Sequence, residues 1–113
     1  MEIEVRNRGE VKLVKLTGRL TLGDAVDRLR STFDDLAGAG SNCYVLDLAD
    51  VGMVDSSGIG LLVQYLTNSK QRGGSLKLLN PSAFATKTLR MIGLLKLFEV
   101  FDDPDAAVAS FNQ

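Results

Sequence analysis

The sequence predicts an α/β fold: a mixed β-sheet of four to five strands that opens with a hairpin, flanked by about four α-helices, in one domain spanning residues 1–113. Three observations predict it. Two β-patterned runs stand side by side at the start of the chain. Apolar residues then recur at helical spacing in several stretches, and short, nearly continuous apolar runs alternate with them.

Ile3 and Val5 alternate with Glu2, Glu4 and Arg6, and Val11 to Leu16 forms a second β-rich run after the turn-like Asn7-Arg8-Gly9-Glu10. Leu22, Ala25, Val26, Leu29, Phe33 and Leu36 step at helical intervals, and Gly38-Ala39-Gly40 follows as a stop, which predicts a helix over 22–37. Cys43 to Leu48 suits a central strand covered on both faces, with Cys43 as an ordinary strand thiol. A loop is expected over 50–57. Ile59, Leu62, Val63 and Leu66 then place a second helix from Ser57 to Gln71, with Leu61 and Tyr65 as a further apolar face and Gly73-Gly74 as its end. Ser75 to Leu79 reads as a strand, Asn80-Pro81-Ser82 as the start of a third helix closed by Gly93, and 95–100 as a short edge strand. Asp103-Pro104 opens a last helix carrying Val108 and Phe111 near its end. The opening hairpin argues against a receiver-type doubly wound domain, in which strand and helix alternate from the first strand.

Composition narrows the function. Thirteen Lys and Arg nearly cancel fourteen Asp and Glu, leaving a net charge of −1, and no basic cluster stands out along the chain, so nucleic acid is disfavoured as the main partner. Histidine is absent and there is one cysteine, which excludes Ser-His and Cys-His catalysis and a structural zinc site. No G-x-x-x-x-G-K-[ST] loop is present to bind nucleotide. No apolar run reaches the roughly 18 residues of a membrane span and the start lacks signal-peptide character, so a cytoplasmic protein is expected.

The informative segment is Asp50-Val51-Gly52-Met53-Val54-Asp55-Ser56-Ser57-Gly58-Ile59-Gly60. Asp55, Ser56 or Ser57 can cap the following helix. Capping leaves Gly58 and Gly60 unexplained, because each costs roughly 0.5–1 kcal/mol relative to alanine inside a helix; something must approach the first turn closely, either the chain itself or a partner. A phosphate on a serine here would be stabilised by the free N–H groups and the positive end of the helix dipole, so the fold should survive it. A binding surface centred on that serine would not, since its partner would have to desolvate a dianion beside Asp55.

Asp55-Ser56-Ser57-Gly58, after an apolar strand and an acidic loop and before Ile59-Gly60 and an amphipathic helix, resembles the signature of the STAS domain family, and most of all its small stand-alone bacterial anti-sigma factor antagonists. Leu16-Thr17-Gly18, Val45-Leu46-Asp47-Leu48, Gly73-Gly74, and Gly93-Leu94 with Phe98 extend the resemblance over nearly the whole chain. It implies a partner-switching cycle. The unphosphorylated protein would bind an anti-sigma factor that is also a serine kinase and so release a sigma factor; phosphorylation of Ser56 would end the binding, and a metal-dependent serine phosphatase would restore it. The partner-binding residues implied are Arg19, Thr21, Asp55, Ser56, Ser57, Gly58 and Ile59. The chain would be substrate and ligand, with no catalytic residue, metal or cofactor of its own.

Gly18-Arg19-Leu20-Thr21 departs from the family, whose members often have an acidic residue after this glycine and an aspartate two positions later. An Arg19 guanidinium near Ser56 would pair with the phosphate and blunt the switch. Two other readings compete: a STAS scaffold or transport-accessory subunit whose serine is never phosphorylated, and a nucleotide-binding domain using Asp47, Asp50 and Asp55 at the helix N-terminus as a magnesium site.

Overall fold

The computed structural model describes residues 1–112. Five strands form one sheet in the order β1-β2-β3-β4-β5: β1 (Glu2–Arg8), β2 (Val11–Leu20), β3 (Cys43–Val54), β4 (Ser75–Leu79) and β5 (Val100–Phe101). β1 pairs antiparallel with β2 through the tight turn at Gly9, and every later pairing is parallel. The helices are α1 (Asp24–Gly38), α2 (Ser56–Gln71), α3 (Ala83–Met91) and α4 (Pro104–Ala109), so the mixed α/β architecture is the one expected.

The alternation of each strand sorts its side chains between two cores. On one face Val14, Leu16, Tyr44, Leu46, Leu76 and Leu78 meet α1, α2 and α3 through Leu29, Phe33, Leu62, Leu66 and Leu89. On the other, Val11, Val45 and Leu79 meet Ala107 of α4. β3 is therefore the covered central strand that its apolar run indicated. Phe33 stacks on Tyr65 at 4.6 Å and meets Tyr44 edge-on at 5.2 Å, joining α1, α2 and β3.

Three expectations are corrected. The segment 50–57 is not all loop: β3 continues to Val54 because Thr17–Leu20 of β2 run beside Asp50–Val54, with register shifts between Lys15 and Thr17 and between Gly18 and Arg19. Helix α1 begins at Asp24, since Gly23 at φ 111° breaks the helical path and leaves Leu22 in the preceding loop, 77% exposed. Residues 95–100 hold a 3-10 turn at Leu95–Leu97, and only Val100 and Phe101 reach the sheet, beside Leu78 and Leu79.

The glycine pair after α2 has separate tasks. Gly73 takes φ 86° to end the helix, and Gly74 lies so close to Asn42 that a Cβ would fall 1.8 Å from its carbonyl oxygen.

Candidate functional site

The end of β2 and the end of β3 project side by side to the N-terminus of α2, and Asp55 joins them. One carboxylate oxygen accepts the Gly58 N–H at 2.9 Å, capping the helix. The other accepts the Leu22 N–H at 2.8 Å, and the Asp55 N–H donates to the Leu20 carbonyl at 3.2 Å. The Leu22 bond, then the Gly58 bond, hold the carboxyl below its usual range, because both stabilise the charged form.

Ser56, the first residue of α2, is exposed, and Ser57 beside it is half-buried. Gly58 turns into the fold. A Cβ on it would meet the Leu20 carbonyl oxygen at 2.6 Å and the Leu20 Cγ at 2.8 Å, so the close approach its sequence signalled is made by the chain itself. Gly60 faces open space, with nothing within 4 Å of where its Cβ would be. The two glycines therefore have opposite explanations.

Ile59 is 5% exposed, yet with Ser56, Gly60, Val63, Thr88, Ile92 and Leu94 it lines a groove of about 460 Å³ that starts at Ser56 and runs between α2 and α3. Thr88, Ile92 and Leu94 were not expected at this site. Thr88 and Ile92 arrive from 30 or more residues downstream on α3 and its C-terminal end, and Leu94 follows the turn that Gly93 makes at φ 76°. Thr21 is half-buried in the loop fastened by Asp55. Arg19 is exposed at the end of β2, paired with Met53, and forms no ion pair with a described residue. The fold thus assembles Thr21, Asp55, Ser56, Ser57 and Ile59 around one helix end, leaves Arg19 at its edge, and gives Gly58 an internal packing task.

The other acidic residues of this region point to separate work. Asp50 pairs with Lys15 at 3.5 Å and Asp47 accepts the Ala49 N–H at 3.0 Å. Among the described residues no three His, Cys, Asp or Glu are gathered so as to hold a metal. None of the described helices is long and apolar enough to cross a membrane.

Comparison with known proteins finds the same fold and family. A Thermotoga maritima protein whose name carries the words anti-sigma factor antagonist is 29% identical over 70 residues, a stretch spanning 62% of this chain and 62% of that relative. The anti-sigma F factor antagonist of Paenibacillus polymyxa is 28% identical over 105 residues, covering 91% of this chain and 88% of the relative. The anti-sigma factor antagonist SpoIIAA in its unphosphorylated form superposes with a TM-score of 0.85 at 20% identity, covering 98% of this chain and 96% of that one. The Bacillus cell fate determinant SpoIIAA in its phosphorylated form gives 0.77 at 22% identity, covering 96% and 98%. The model of the STAS domain matches residues 2–107. With its hairpin-led mixed sheet and its Asp-Ser-Ser-Gly helix start, the chain belongs to the STAS domain family.

Proposed function

We propose that this protein is an anti-sigma factor antagonist working by partner switching. Unphosphorylated, it binds an anti-sigma factor that is also a serine kinase; phosphorylated on Ser56, it lets go, and a serine phosphatase resets it. The observation that carries this reading is the position of Ser56: exposed, first in α2, beside a fixed Asp55 and at the head of an apolar groove. The relatives named as anti-sigma factor antagonists, and the solution of SpoIIAA in both phosphorylation states, support it.

The chemistry asks little of this chain. The kinase supplies nucleotide, metal and base, so a histidine-free protein serves as substrate and ligand in the cytoplasm. The product phosphate lies where the free N–H groups and dipole of α2 stabilise it by about 0.3–2 kcal/mol. The fold stays intact while the docking face gains about −1.5 to −2 of charge.

Incubation with the cognate kinase and ATP should label Ser56 and abolish the complex; Ser56→Ala should bind constitutively and Ser56→Asp poorly. Labelling confined to another residue, or full labelling with undiminished binding, would overturn the reading. A complex with a permease or ATPase indifferent to both substitutions would instead favour a static scaffold.

A further inference from the structure

The fold makes local a charge separation that the sequence spreads out. From Ser56 to Phe98 the chain carries six Lys and Arg and no Asp or Glu, within a protein of net charge −1. Two of the six are engaged: Arg72 donates to the carbonyls of Ala37 and Ser41, and Lys77 is buried against Glu99 and Ser110. The other four, Lys70, Lys87, Arg90 and Lys96, are exposed and form no ion pair with a described residue. The acidic side chains bonded to α2 do not offset them. Asp55 is held by Leu22 and Gly58, and Asp34 accepts the Tyr65 hydroxyl.

Three of these cations border apolar hollows. The groove that begins at Ser56 shares Val63 with a second, of about 400 Å³, lined by Leu66 and Leu97 and edged by Lys70. Arg90 and Lys96 line a third hollow with Gly93 and Leu95, at the same turn that supplies Leu94 to the first. Ile92 and Leu97 are 50% and 43% exposed. Apolar surface rimmed by charge of one sign marks a partner site more than a solvated face.

We propose that this channel along α2 docks an acidic amphipathic helix of a partner protein, with apolar side chains on Val63, Leu66 and Leu97 and carboxylates facing Lys70, Arg90 and Lys96. The two hollows that share Val63 follow one stripe of α2 from Ser56 to Lys70, an elongated apolar seat that suits a helix laid along it. The docking itself does not depend on phosphorylation. What rests on the partner-switching reading is a consequence: a phosphate on Ser56 places negative charge at the head of the channel, where it repels the nearest carboxylates of the docked helix.

The test is an NMR titration of the full chain, without kinase or nucleotide, using a synthetic peptide of about 18 residues with Leu at i, i+3, i+4 and i+7 and Glu along both flanks. Saturable shifts at Val63, Leu66 and Leu97 are expected, with affinity falling steeply as salt rises. Lys70→Glu, Arg90→Glu and Lys96→Glu combined should weaken binding by at least about tenfold while the thermal midpoint holds. The peptide with every Glu replaced by Lys should not bind. Equal binding of the two peptides, or no saturable shift in this channel, overturns the proposal. So does binding of phosphatidylglycerol vesicles in place of the peptide, or concentration-dependent self-association that shifts the same residues. Labelling of Ser56 is read in a separate kinase assay, so either idea can fail alone.

Discussion

Asp55 accepts the main-chain N–H of Leu22 at 2.8 Å with the carboxylate oxygen that does not cap α2, so the loop after β2 and the start of α2 share one anchor. The loop carrying Thr21 and Leu22 is thereby held beside Ser56. Because both bonds lower the Asp55 pKa relative to the unfolded chain, their stabilisation is present above the ordinary carboxylate range and is lost as pH falls through the folded value. The amide resonances of Leu22 and Gly58 should titrate together in acid, with one midpoint below that of an ordinary aspartate. Independent midpoints would show that the anchor is not shared.

Gly58 and Gly60 should respond oppositely to alanine. Gly58→Ala forces a methyl against Leu20 and should cost about 1–3 kcal/mol in denaturant unfolding. Gly60→Ala enters open space and should gain about 0.5–1 kcal/mol by helix propensity alone. Since Gly60 lines the groove at Ser56, the stabilised variant should nonetheless bind its partner more weakly. A neutral Gly58→Ala would contradict the packing described for it.

Phosphorylation at Ser56 should leave the fold intact. Ser56→Asp places an anion at the first turn of α2, and its unfolding free energy should stay within about 1 kcal/mol of the parent, in the stabilising direction. Calorimetry beside a binding assay checks this, since a loss of binding that merely followed unfolding would appear in both.

Lys77 ties the C-terminal segment to the sheet. Its ammonium lies 2.7 Å from the Ser110 hydroxyl, 3.1 Å from Glu99 and 4.2 Å from the centre of the Phe111 ring, and its side chain is 7% exposed. Lys77→Ala empties that space and should cost about 2 kcal/mol or more, with faster proteolysis after α4. Lys77→Met keeps the stem packed, and Glu99, mostly exposed, remains solvated, so its cost should be under about 1 kcal/mol. Equal losses in urea unfolding would show that the charge matters more than the packing.

What could be read from the residues was what is local. Cys43 to Leu48, the apolar steps of α2, and the caps at Asp55 and Asp103 each carry their signal within a few positions. The second half of β3 does not: Asp50 and Gly52 are poor strand formers, and they lie in a strand because Thr17–Leu20 run alongside, some 33 residues earlier in the chain. Leu22 has helical spacing but sits outside the helix, because Gly23 breaks the path. The site divides in the same way. Asp55-Ser56-Ser57-Gly58 is visible as a motif, whereas the Asp55 to Leu22 bond and the meeting of Val63 and Leu66 with Ile92, Leu94 and Leu97 along α2 are products of tertiary folding.

The strand order β1-β2-β3-β4-β5 follows the chain without a single inversion. Every strand after the first joins an edge that the preceding segment has already built, so no strand has to be inserted between two that are paired. The sheet can be laid down from its N-terminal hairpin outward as the polypeptide leaves the ribosome, each addition closing a short stretch of chain and leaving one fresh edge for the next. The last such edge is covered by only Val100 and Phe101, so translation that stops before them releases a molecule whose β4 edge is open to pairing with another chain.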